Sequence, residues 1–197
     1  MPRRQRPVFS GTTKLTNTSP IRLAGGRKPS AAVATAIAVL HDHDFFLHCD
    51  PHYTSHKVLP PTDDGGNAEQ AKTTYKLPTG IEPLGSPAVQ LYEVVDHVPN
   101  PVWSSNVVSR EEFADFAEGL WVRIHSPLGV VMETTWKIRE RTGGGEGLEL
   151  VEDVEISCSK LLLGIVKGQV EGNWKGIHQK LIARIVEEVE KAGDGGA

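Results

Sequence analysis

LLLGIVKGQVEGNWKGIHQKLIARIVEEVEK, residues 161–191, decides the fold of this 197-residue chain. Leu163, Val166, Val170, Trp174, Ile177, Leu181, Ile185 and Val189 recur at spacings of three and four, which places all eight on one face of a single long helix. Such a stripe has to lie across an apolar surface. The segments before it alternate like strands, so that surface is predicted to be a curved antiparallel sheet, and the space between sheet and helix is where a small apolar molecule would sit.

Composition agrees with one soluble domain over 1–197, with a core at about 7–190, a Pro/Gly-rich loop insertion at 60–87 and a flexible tail at 191–197. Apolar residues make up 39% and charged residues 23%, and no apolar run reaches the roughly 18 residues of a membrane span, so no stable membrane insertion is expected. Cys49 and Cys158 lie far apart and outside any metal-binding spacing, which fits a reducing compartment and predicts neither a disulfide framework nor a zinc site.

The net charge of −4 is unevenly spread. Residues 1–41 carry Arg3, Arg4, Arg6, Lys14, Arg22, Arg27 and Lys28 and no acid. This start has the composition of a mitochondrial transit peptide, but Pro2, Pro7 and Gly11 would break its helix, and a cytoplasmic location is the expectation. The acidic remainder argues against nucleic acid as a partner.

Along the chain, Val8 to Thr18 reads as a strand and Pro20 to Lys28 as a loop. Pro29 and Ser30 open an Ala-rich helix running to Leu40. His52 to Leu59 alternates as a strand. Within 60–87 only a short strand near Thr73 to Leu77 is predicted. Strand-like stretches follow at Ala88–Val98, Val102–Ala117, Gly119–Ser126, Val130–Glu140 and Leu148–Cys158, an antiparallel meander ahead of the long helix.

This order, with Leu40-His41-Asp42-His43, Asp50-Pro51, Ser126-Pro127-Leu128-Gly129 and Leu150-Val151-Glu152-Asp153-Val154, resembles a fungal START-like domain of unknown function in the polyketide-cyclase (SRPBCC) superfamily. The resemblance covers about residues 7–190, and the insertion at 60–87 departs from it. It implies an α+β helix-grip fold, START-like or Bet v 1-like, with a hydrophobic cavity. Of function it implies only a class: binding of a lipid, sterol or polyketide-like molecule, or a cofactor-free cyclase or isomerase of secondary metabolism.

Strand alternation nominates the wall of that cavity. Val130, Met132, Thr134, Trp136 and Ile138 should face inward, as should Leu148, Leu150, Glu152, Val154 and Ile156. Met132, Trp136, Leu150 and Val154 are therefore candidate ligand contacts, opposite Val170, Trp174, Ile177 and Leu181 on the helix. Glu152 interrupts an apolar row, either as an acid/base group or as the partner of a cation such as Arg123. The alternation Val89, Leu91, Glu93, Val95, His97 puts Glu93 and His97 on one face as a second acid/base pair, to be joined by Glu152 or His125. Tyr92 with Val94 and Val98 offers the opposite choice of inward face.

His41, His43, His48, His52 and His56 recur closely, but Pro51 interrupts any helix that could hold them as ligands, and no metal site is expected. No nucleophile elbow, phosphate loop or dinucleotide fingerprint occurs, and no cofactor is predicted. Gly164, Gly168, Gly172 and Gly176 form a row on the flank of the final helix. That row suggests a close approach by a loop, a ligand or a second copy in a homodimer, or else a helix that begins nearer Val170.

Overall fold

The computed structural model describes residues 10–23, 29–61, 68–98, 105–141 and 147–194. Seven strands form one antiparallel sheet: β1 (Ser10–Ile21), β2 (Tyr53–Leu59), β3 (Gln90–Val98), β4 (Ser105–Phe116), β5 (Gly119–Ser126), β6 (Val130–Glu140) and β7 (Leu148–Ser159). Their spatial order is β1-β7-β6-β5-β4-β3-β2, so β2 to β7 follow one another across the sheet and β1 closes onto β7. The helices are α1 (Pro29–Leu40), α2 (His43–Leu47), α3 (Ala68–Thr74) and α4 (Lys160–Asp194). This is the predicted helix-grip arrangement, with α4 laid along the concave face of the sheet. No helix among the described residues is long and apolar enough to cross a membrane.

The main core lies between α1, the C-terminal half of α4 and the sheet. Leu181, Ile185 and Val189 pack against Ala32, Ala36 and Leu40 of α1 and against Trp136, Ile138, Leu148 and Leu150 of the sheet. Small alanines on α1 let the two helices approach closely over the sheet. Each large apolar side chain buried here contributes roughly 1.5–3 kcal/mol. The α4 stripe therefore does what its periodicity predicted. The helix runs on to Asp194, so the tail expected from 191 begins inside it.

The segment around α3 departs from expectation. The predicted strand at Thr73 to Leu77 is the end of α3 and the turn after it. Ala71, Tyr75 and Ile81 from this insertion cover a second apolar cluster on the convex face with Val89, Leu91, Ala114, Phe116 and Trp121. Arg123 locks it in place: its guanidinium lies 4.7 Å over the Trp121 ring, donates to the carbonyls of Tyr75 and Lys76, and pairs with Glu133 and Glu112. The sheet is thus apolar on both faces between β3 and β5, and the described part of the insertion packs away from α4.

All four glycines of the row lie within continuous helix, which removes the reading of a helix that begins nearer Val170. A side chain placed on any of them would meet nothing within 4 Å. Gly168→Ala is therefore expected to stabilise the protein by about 0.5–1 kcal/mol through helix propensity alone, measurable by urea unfolding. A destabilised variant would mean that something does approach this flank.

Arg3, Arg4, Arg6, Arg27 and Lys28 of the basic start, the first residues of the predicted strands at Val8 and Val102, and residues 195–197 of the expected tail lie outside the described residues.

Candidate functional site

Between the sheet and the N-terminal half of α4 lies a cavity of about 510 Å³. Its sheet wall is built by alternation on adjacent strands: Val94 and Val98 from β3, Val107 from β4, Val122 and Ile124 from β5, and Val130 and Met132 from β6. Ile165, Val166, Val170, Trp174 and Ile177 of α4 form the opposite wall. Phe46 of α2 closes one end, its ring 5.2 Å from that of Trp136 and 5.8 Å from that of Phe113. The short turn Pro127–Gly129 stands at the rim, where Leu128 is held at φ 60°, 80% exposed, and still borders the cavity.

Of the expected ligand contacts, Met132, Trp136, Val170, Trp174 and Ile177 line this space. Leu150 and Leu181 are buried in the main core instead, and Val154 packs with Leu15, Leu162 and Val166 beside the cavity. They support the wall from behind.

Glu152 does face inward. Its side chain lines the cavity, is 5% exposed, and accepts a hydrogen bond of 2.8 Å from Asn17 Nδ2. The strand register sets this up, since Glu152 is paired with Asn17 of β1 on one side and Trp136 of β6 on the other. Its cation is not Arg123, which serves the convex face. The nearest ionisable group is His178, whose Nε2 lies 3.5 Å from Glu152 Oε2 and has no hydrogen-bond partner, while Nδ1 is 2.9 Å from Ser19 Oγ. His178 is 1% exposed and lies between Trp136, tilted at 54° to its ring, and Trp174, edge-on at 81°. Sequence reasoning passed over it, although it falls four residues after Trp174 and three before Leu181, squarely in the apolar stripe.

The second acid/base pair is a correction. Glu93 forms an ion pair of 2.8 Å with Lys57, and His97 Nδ1 lies 3.0 Å from Asn106 Oδ1; both are on the outer face. His125 also points outward, 3.2 Å from Glu112. The reason is the convex cluster: Val89 and Leu91 are apolar because they pack under α3, so an apolar-looking alternation marked the wrong side of the strand. The inward residues of β3 are Tyr92, Val94, Asp96 and Val98.

That opposite register brings acids to the cavity that the sequence reading did not single out. Asp50, Asp96 and Glu111 line it together, with His52 beside them. Asp50 caps the corner after α2, where its Oδ1 accepts from the backbone N–H of His52 at 2.7 Å. Glu111 is 4% exposed, and its Oε1 accepts from Ser109 Oγ at 2.9 Å. Burial pushes the Glu111 carboxyl up to about 8 against the opposing Ser109 hydrogen bond. Burial and the neighbouring Asp50 charge raise Asp96 to about 6. The signal for Asp96 was present in Tyr92-Glu-Val-Val-Asp-His-Val98, as a polar break on the face opposite the one chosen, whereas Glu111 stands on a strand for which no inward face was read.

His41 and His43 play structural parts. His41 Nε2 lies 2.8 Å from the Gly119 carbonyl, and His43 bridges Tyr92 Oη and Asp115 Oδ1, each at 2.9 Å. Among the described residues no cluster has the geometry of a metal site.

The fold is shared with proteins of known structure. The di-domain aromatase/cyclase StfQ from the steffimycin biosynthetic pathway superposes with a TM-score of 0.55 at 14% identity, over 92% of this chain and 52% of that one. This chain thus spans about half of StfQ. The ZhuI aromatase/cyclase from Streptomyces sp. R1128 gives 0.54 at 14% identity, over 93% and 98% of the two chains. Ara h 8.0201 gives 0.50 at 12% identity, over 90% and 99%. These likenesses show that the chain has the helix-grip fold. No curated protein matches the sequence. Residues 12–187 match the family described as Domain of unknown function (DUF7053), and the chain belongs to it.

Proposed function

We propose that this protein binds one small, mostly apolar molecule, of lipid, sterol or polyketide type, in the cavity between sheet and α4. The observation that carries the reading is the cavity itself, about 510 Å³ walled largely by Val, Ile, Met and Trp side chains from four strands and one helix. Helix-grip neighbours named as aromatase/cyclases support it through the shared fold.

Val170→Trp tests this, because the larger side chain projects into the cavity from α4. The uncharged reporter N-phenyl-1-naphthylamine is expected to bind the wild type and to lose affinity about tenfold in the variant at unchanged melting temperature. Equal binding by both, or none by the wild type, would sink the reading.

A second reading, cofactor-free cyclisation or isomerisation, is favoured by carboxyl groups that face the cavity with affinities for protons on either side of neutrality, at Asp96 and Glu111. Glu152 belongs to this reading as a proton-transfer candidate. Asn17→Ala removes the donor and leaves the buried Glu152 carboxyl without it, so stability should fall by about 1–3 kcal/mol while the neutral reporter still binds. A variant as stable as the wild type would show that the Asn17 bond contributes nothing.

A further inference from the structure

Beside the uncharged Ser105, Ser126, Thr134, Gln169 and Asn173, the ionisable groups of the cavity wall are four acids and His52. Asp50, Asp96, Glu111 and Glu152 all line it, and none of the described residues lining it is Lys or Arg. Three of the four converge where the corner after α2 meets β3 and β4, the register pairing Tyr53 with Asp96 and the His97 N–H donating to the His52 carbonyl at 2.7 Å. Among the described residues Asp96 has no hydrogen-bond donor. Glu111 is 4% exposed, yet among the described residues only its Oε1 has a donor, Ser109.

Carboxylates facing a low-dielectric cavity without a cation are costly, and a ligand recovers that cost only by bringing donors of its own. A carboxylate or phosphate head group would add its charge to that of the wall and meet only uncharged donors such as Gln169 and Asn173, with no Lys or Arg among the described lining residues to balance it. We propose, building on the cavity-binding reading above, that the ligand is an apolar molecule whose polar end is a protonated amine, seated against Asp50, Asp96 and Glu111. The site would thereby discriminate against fatty acids and other anionic amphiphiles of the same size. A neutral alcohol, which can donate one hydrogen bond but brings no charge, should rank between the two.

Displacement of N-phenyl-1-naphthylamine from the full chain by dodecylamine, dodecanol and dodecanoate, each below its micelle concentration at neutral pH, tests the proposal. Dodecylamine is expected to displace the reporter at a concentration about tenfold lower than dodecanoate. In the double variant Asp96→Asn, Glu111→Gln that ratio should collapse toward unity, whereas Glu187→Gln on the exposed end of α4 should leave it unchanged. Retained reporter binding shows that the double variant is folded. Dodecanoate displacing as well as dodecylamine, or an amine preference that survives the double variant, would overturn the proposal while leaving cavity binding intact. No reporter binding by the wild type would instead overturn the cavity reading on which it rests.

Discussion

Glu111→Gln is expected to make the ligand-free protein more stable in alkaline solution, by about 4 kcal/mol at about pH 9, and to change little at about pH 4. The carboxyl has an ordinary value of 4.5 when exposed and is raised to about 8 in the folded chain by burial beneath the cavity wall. Below the lower value both states hold the proton and the group does not bias folding. Between the two values the unfolded chain has released a proton that the folded chain keeps, so wild-type stability falls with each unit of rising pH. Above about 8 both states are ionised and the full penalty of a buried carboxylate weighs on the native state. Gln keeps the shape and the acceptor for Ser109 without titrating. Urea unfolding of both proteins across this range measures the effect; parallel curves would mean that Glu111 reaches water when charged.

Gly119→Ala should produce a loss of comparable size, about 3 kcal/mol or more, lowering Tm by roughly 6–12 °C. Gly119 opens β5 directly after the tight turn from β4 and is paired with Lys137 of β6. A Cβ there would run into the Trp136 carbonyl oxygen and lie 2.9 Å from its carbon and 3.1 Å from Lys137 Cα. These are backbone atoms, which cannot rotate aside as a flexible side chain would. The strands must part, and the bond from His41 to the Gly119 carbonyl moves with them. Thermal unfolding followed by circular dichroism reads this out, and a variant that melts with the wild type would show the edge of β5 to be free to shift.

The sequence made the α4 stripe, the β6 and β7 registers and the inward Glu152 legible, because in each case one face is apolar and the other polar, and alternation then has a single solution. It misled at β3 because that strand is covered on both sides, by α4 and α2 within and by α3 without. Where both faces are apolar, the period of two no longer tells in from out, and Glu93 was exchanged for Asp96. Glu111 and His178 were hidden differently: each is a polar residue in a buried row, and only three-dimensional packing reveals what surrounds it. The partner of Glu152 could not be found by spacing, since Asn17 stands 135 positions away in the chain.

That last separation governs how the molecule is assembled. Strands β2 to β7 each pair with a neighbour in sequence, through short connections from β3 onward and through the longer insertion with α3 between β2 and β3. β1 has no such neighbour: its twelve residues pair with β7, from Ser10 with Ser159 to Ile21 with Leu148, across nearly the whole chain. During synthesis β1 emerges early and then waits for its mate until β7 has been made. Asn17 and Ser19, which hydrogen-bond Glu152 Oε2 and His178 Nδ1, arrive on that strand. The side of the cavity that carries Glu152 is therefore completed by the sheet pairing of longest sequence separation, and the binding surface is finished only when β1 has met β7.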